Sequence, residues 1–202
     1  MVLFLSKILS SVIQIFLFSI IPFLWWFFTA KKKEKFTKWI GLKAISGNKN
    51  KCAVATVMLA LVFIFSGILT LYLIKDVETA VSEFSGLGAN AIPAIIIYAA
   101  FNTALPEELL FRGFLLKRLC KRFGFIFANC FQSILFGLLH GALLFAAAGP
   151  DKAVIIVLLT GFIAWFMGCI NEKYADGSIL PGIIIHAVSN VFSGICTAFS
   201  LI

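Results

Sequence analysis

The chain has 202 residues, 61% of them hydrophobic and only 13% charged, with a formal charge of +8 and 23 phenylalanines. A soluble domain is roughly half apolar and a quarter charged, so disorder, collagen-like repeats, a disulfide scaffold and a soluble enzyme are excluded. What remains is an all-α, polytopic integral membrane protein of about six to seven transmembrane helices, each span needing roughly 20 apolar residues.

The first span is predicted over residues 8–28. It contains Pro22 and ends in the interfacial pair Trp25 and Trp26. A lysine cluster follows it rather than a small-residue cleavage pattern, so it reads as a retained anchor. Between Lys31 and Lys51 lie eight lysines and one acid, Glu34. The stretch from Lys75 to Asn90 instead has one lysine and three acids, Asp76, Glu78 and Glu83. The positive-inside rule puts the first loop in the cytoplasm and the second outside. No arginine or aromatic interleaving supports nucleic acid as a partner of the basic loop, and anionic lipid is the expected contact. Residues 36–50 mix Trp39, Ile40 and Leu42 with lysines and are expected to lie along the cytoplasmic surface. Residues 52–74 form the second span. Residues 1–90 thus read as anchor spans with a basic loop, and residues 91–202 as the part that carries chemistry.

Residues 91–123 are the informative stretch. They are apolar to Leu105, interrupted by Pro106, Glu107 and Glu108, apolar again apart from Arg112, and closed by Lys117, Arg118, Lys121 and Arg122. As one helix they would be about 48 Å long, well beyond the bilayer core. A strong tilt or a break is required, and Pro106 predicts the break. A single crossing would leave the four terminal cations inside, whereas two short crossings would leave them outside. Further spans are predicted over residues 125–146, 153–170 and 179–202, the last with Pro181 in its first turn. The five cysteines lie in or beside apolar runs, with no CxxC spacing and an odd total. They read as small hydrophobes, and only Cys120, beside Lys121 and Arg122, approaches the electropositive setting of a nucleophile.

An ionisable side chain inside a span costs about 2.5–3.5 kcal/mol on insertion scales and is a functional hypothesis by default. Glu107, Glu108, Arg112, His140 and His186 qualify, with Asn102, Gln132 and Asn190 as neutral polar neighbours. The chain's two histidines both fall in apolar helices. Glu107 and Glu108 could simply cap the first helical turn after Pro106. Their spacing separates them: Glu108 and Arg112 are i,i+4 and can pair, whereas Glu107 is rotated by about 100° and has no sequence-local partner. The unpaired acid is therefore the candidate general base. His186 and Asn190, also i,i+4, could present two donors to a developing oxyanion or could serve as interhelical hydrogen bonds.

The segments Glu107-Glu108-Leu109-Leu110-Phe111-Arg112-Gly113, Phe136-Gly137-Leu138-Leu139-His140 and His186-Ala187-Val188-Ser189-Asn190 resemble, in order and spacing, the EExxxR, FxxxH and HxxxN signatures of the CPBP family. That family comprises the type II CAAX prenyl endopeptidases and related bacterial proteins, some linked to bacteriocin self-immunity. The resemblance covers roughly residues 91–202. It implies a metal-independent intramembrane glutamate-type endopeptidase with no cofactor, in a bacterial plasma membrane, acting on a membrane-associated peptide or protein. Glu107 with His140 would activate water, His186 with Asn190 would form the oxyanion hole, and Glu108 and Arg112 would be supporting residues. The resemblance does not imply that the substrate is prenylated.

Other readings use the same residues. A zinc-dependent protease would take Glu107, His140 and His186 as ligands, although HExxH and ligand pairs one helical turn apart are missing. A non-catalytic bacteriocin-immunity or scaffold protein would bind a partner there. A transporter would use the polar groups as an ion path, without the internal inverted repeat common to that class. Residue counting places Glu107 and the two histidines at depths differing by roughly 15–25 Å. The enzymatic readings therefore require breaks, tilts or a re-entrant segment, at Pro106 or Pro181, to bring them within a few ångströms of one water-accessible cavity.

Overall fold

The computed structural model describes residues 1–201; Ile202, the end of the last predicted span, lies outside the described residues. Seven helices are present among the described residues: α1 Val2–Thr29, α2 Phe36–Ile40, α3 Lys49–Leu73, α4 Gly88–Phe123, α5 Phe125–Ala148, α6 Pro150–Tyr174 and α7 Leu180–Ala198; a short 3-10 turn lies at Ser82–Phe84. All but α2 are long and apolar enough to cross a membrane, and there is no strand among the described residues. The protein is an all-α polytopic membrane protein with six candidate crossings.

Local chemistry sets the helix ends. Asn48 starts α3 by accepting the Lys51 backbone N–H on its side-chain oxygen at 3.0 Å, satisfying one of the amides a helix start leaves free. Single glycines join α4 to α5 and α5 to α6, Gly124 with φ +78° and Gly149 with φ +85°. With ψ near 166° and 165°, both lie in an extended positive-φ conformation that lets the chain reverse within one residue and that is essentially closed to any side chain. Pro150 and Pro181 sit in the first turns of α6 and α7, where no intrahelical donor is lost. Gly137 and Gly141 let α5 and α6 approach closely: a Cβ on Gly137 would stand 2.5 Å from the Val157 carbonyl oxygen. Small residues four apart are the usual means of close helix contact in lipid.

Polarity is distributed inside out relative to a soluble protein. Large apolar side chains such as Phe16, Phe65 and Leu143 point outward, while Glu108, Arg112, Asn129, Gln132, Asn171 and His186 are buried. Hydrocarbon takes the former and rejects the latter.

The predicted break at Pro106 does not occur. Residues 88–123 run as one continuous helix, and the backbone at Leu105 and Leu109 stays helical. The stretches Tyr98–Ala104 and Leu109–Leu116 widen to π-helical turns on either side of the proline. These shift the carbonyls relative to the Pro106 ring, so the clash and the lost donor that would sever an ordinary helix are absorbed locally. At about 50 Å, α4 projects beyond the hydrocarbon. Its terminal Lys117, Arg118, Lys121 and Arg122 therefore fall on the side of the basic loop, not on the opposite side as two short crossings would have required. Arg118 stacks 3.9 Å over the Trp39 ring, which ties that end of α4 to α2.

On the basic side lie the end of α1, α2, the start of α3, the end of α4 and the connection from α6 to α7. Thirteen of the 17 cations belong to these segments, the excess that the charge rule associates with a cytoplasmic side. On the opposite side, Lys7 of α1 pairs with Glu83 at 3.0 Å. Residues 36–50 do more than lie along the surface. Trp39 and Ile40 are buried, and the chain beyond them covers the turn between α6 and α7. The Ile179 N–H donates to the Gly41 carbonyl at 2.9 Å, the Ser178 hydroxyl donates to the Lys43 carbonyl at 2.7 Å, and Ser46 donates to Asp176 at 2.8 Å. Lys117 donates to Glu172 at 2.6 Å and to the Gly177 carbonyl at 2.7 Å from the other side. The short helix α7 therefore begins beneath a protein cover.

Candidate active site

The start of α7 below that cover, together with the continuous α4, brings residues from three helices together. Glu107 and Glu108 stand between the two wide turns of α4, His140 lies in the outer half of α5, and His186 lies in the second turn of α7. The depth difference expected from residue counting disappears without a break, because the spans do not all begin at the same level.

Glu108 pairs with Arg112 along one face of α4. Arg112 Nη1 donates to Glu108 Oε1 at 2.6 Å, and both side chains are fully buried. The guanidinium is held further by the Phe136 ring, 4.4 Å from its carbon to the centroid, and by Met167 Sδ at 3.7 Å from Nη2. Gly182 in the first turn of α7 makes room for the carboxylate: a Cβ there would stand 2.5 Å from Glu108 Oε2 and 2.8 Å from Asn171 Nδ2. Asn171 is itself oriented, since its Oδ1 accepts the Gly182 N–H at 3.0 Å.

Glu107 has no cationic neighbour of this kind. Its Oε2 is buried and makes no hydrogen bond, and it lies 3.9 Å from His140 Nε2 and 3.9 Å from His186 Nε2. Its side chain is 21% exposed and that of His140 31%, against 4% for His186. The cluster is thus most exposed on the Glu107–His140 side.

The two imidazoles are oriented differently. His140 Nδ1 lies 2.9 Å from the Phe136 carbonyl; a carbonyl only accepts, so this nitrogen carries the proton and the neutral ring turns its Nε2 lone pair toward Glu107. His186 Nδ1 lies 3.4 Å from Glu108 Oε1, and its ring packs against Phe63 of α3 and Phe136 of α5, at centroid distances of 5.9 and 6.1 Å. Two acceptors 3.9 Å apart can both be reached by one water at about 2.8 Å, with an angle near 90° at its oxygen. Among the described residues no group of three or more His, Cys, Asp or Glu is arranged to hold a metal ion.

Asn190 does not join this cluster directly. Its Nδ2 donates to Thr103 Oγ1 at 2.7 Å, one helical turn from His186 on α7 and four residues before Glu107 on α4. Thr103, Asn171, Phe63 and Met167 are neighbours that the sequence reading did not single out. Thr103 and Asn171 carried a usable signal, being neutral polar residues within apolar spans, whereas Phe63 and Met167 carried none among so many apolar residues.

Residues 89–192 match the family model described as type II CAAX prenyl endopeptidase Rce1-like, just over half of the chain and including all three motif segments. No curated protein and no solved structure matches the chain.

Proposed function

The chain belongs to the Rce1-like family of type II CAAX prenyl endopeptidases, a membrane protease family, and from that premise we propose that it is a glutamate-type intramembrane endopeptidase whose site is built on Glu107, His140, His186 and Asn190. The observation that carries this reading is the position of Glu107 Oε2, equidistant at 3.9 Å from two imidazole nitrogens at the partly exposed edge of an apolar bundle. A carboxylate there, free of the guanidinium that neutralises Glu108, is suited to take a proton from water.

In the proposed reaction a water held between Glu107 and His140 attacks the scissile carbonyl carbon. The new C–O bond forms as the water proton passes to the Glu107 carboxylate, and the carbonyl π pair moves onto oxygen. His186 Nε2–H and the Asn190 amide hold that oxyanion. Collapse breaks the C–N bond, and the proton on Glu107 is delivered, directly or through His140, to the leaving amine. Glu108 and Arg112 fix the backbone of α4 and the ring of His186, so they support the site without touching the reacting atoms.

The proposed substrate is the terminal part of a membrane-associated peptide of CAAX-like or bacteriocin type, reached from the bilayer in a bacterial plasma membrane with the basic face in the cytoplasm. Residues 1–90 would then serve as the scaffold half, with Phe63 steadying His186, and residues 91–202 as the catalytic half. The test is cleavage of a prenylated CAAX-type peptide by the purified protein in liposomes. Glu107→Gln is expected to lower kcat by about 10²–10⁴-fold, and activity is expected to survive a chelator. A Glu107→Gln variant as fast as the parent would refute the reading, and loss with chelator restored by zinc would replace it with a metalloprotease.

A further inference from the structure

The orientation of Asn190 is not self-evident from its own surroundings, because a side-chain amide can present either its NH2 or its oxygen. One neighbour decides it. Thr103, in the wide turn Tyr98–Ala104 of α4, has a single hydroxyl proton. Carbonyl oxygens lie 2.9 Å away at Ala99 and 3.4 Å away at Tyr98. Both can only accept, so the Thr103 proton is committed to that side and the oxygen facing Asn190 is an acceptor. The contact at 2.7 Å must then be made by the Asn190 NH2 group, with its second N–H left free.

We infer that Thr103 is a positioning residue for the proposed oxyanion hole: its hydroxyl locks the Asn190 amide with the NH2 group toward α4, so that a donor and not a carbonyl oxygen is available beside His186. This rests on the functional reading given above. A flipped amide would set an acceptor against the developing negative charge, reversing the sign of the interaction. The wide turn has a part in this, because Thr103 and Glu107 are carried on the same helix and the lock is therefore registered to the proposed base.

Three variants test it with the prenylated CAAX-type peptide as probe. Thr103→Val keeps the shape and removes the acceptor; kcat is expected to fall about tenfold with KM unchanged, part of the roughly 10²–10³-fold loss typical when an oxyanion donor is deleted. Thr103→Ser is expected to restore kcat to within about twofold, since it retains the hydroxyl. In an Asn190→Ala background, Thr103→Val is expected to add nothing. A second measurement is independent of turnover: the side-chain amide signals of Asn190, assigned by nitrogen-15 NMR in nanodiscs. One hydrogen-bonded proton should appear downfield in the parent and in Thr103→Ser and move upfield in Thr103→Val. A parent-like kcat in Thr103→Val, an equal loss in the Asn190→Ala background, or an Asn190 amide indifferent to Thr103 would overturn the inference. If Glu107→Gln proves fully active, the functional reading fails; the amide signals still report whether the lock exists.

Discussion

Replacing Arg112 with methionine isolates the charge of the buried pair from its volume. Glu108 and Arg112 are both fully buried, joined at 2.6 Å through Glu108 Oε1, and Glu108 Oε2 has no hydrogen-bond partner. In Arg112→Met the thioether fills most of the space beside Phe136 and Met167, so little cavity forms, but a carboxylate remains with only His186 Nδ1 nearby at 3.4 Å. Stranding one member of a buried ion pair costs about 3–5 kcal/mol, and loss of the guanidinium stacked on Phe136 adds roughly 0.5–2 kcal/mol. For a chain of this size the sum corresponds to a fall in Tm of roughly 7–28 °C. The double variant Glu108→Gln with Arg112→Met removes both charges and is expected to recover most of that loss, because well-packed neutral groups replace a buried pair at little net cost. Thermal unfolding in a mild detergent, followed by tryptophan fluorescence, reads both values. A single variant within about 2 °C of the parent, or a double variant as unstable as the single, would refute the view that pairing is what makes these charges tolerable in the bundle.

Gly182→Ala should press a methyl against Glu108 Oε2 and Asn171 Nδ2, at 2.5 and 2.8 Å. Overpacking of this kind costs about 1–3 kcal/mol and should lower Tm while also reducing peptide cleavage, whereas Gly67→Ala, whose methyl would meet only Ser193 Oγ at 3.4 Å and Ser189 Oγ at 3.6 Å, should leave the packing there undisturbed. The hydrogen bond from Ser46, and after it the Lys43 ammonium, hold the Asp176 carboxyl below its ordinary value of 3.8. Its hold on the covering segment is therefore complete above that value and is lost as pH falls through the lowered one. A spin label at exposed Ala44 should gain mobility over that acidic range, and Asp176→Asn should show the gain already at neutral pH. Cysteines placed at Lys33 and Lys121 should react with an impermeant maleimide only from the cytoplasmic face, and those at Asp76 and Asp151 only from the other; mixed accessibility would contradict the six-crossing topology.

Much of this arrangement could be read from residue types alone. Uninterrupted apolar runs located the spans to within a few residues except at the start of the first, which begins six residues earlier, at Val2, and the i,i+4 spacing of Glu108 and Arg112 anticipated their pairing. The break at Pro106 was wrongly anticipated, because counting a missing donor takes no account of wide turns that redistribute the neighbouring bonds. The meeting of His186 with Glu107 was obscured by the assumption that every span starts at the membrane surface. Only the tertiary contacts of residues 41–46 with 176–179 reveal how deep α7 begins. Thr103 is only half-buried, and nothing in the local sequence ties it to its partner Asn190, which lies 87 positions away.

The two wide turns of α4 amount to surplus length stored inside a helix. Each accommodates roughly one residue more than an ordinary turn would, so a one-residue deletion between Tyr98 and Ala104 could be taken up by tightening that turn. The segment beyond Pro106, with both glutamates, would then keep its register against α5 and α7, and only the outer end of the helix would swing. A comparable deletion in the uninterrupted α5 between Phe136 and His140 has no such slack and would rotate His140 by about 100° away from its carboxylate. Insertions and deletions should therefore be tolerated very unevenly along the bundle, and the tolerant places sit directly beside the residues that move least.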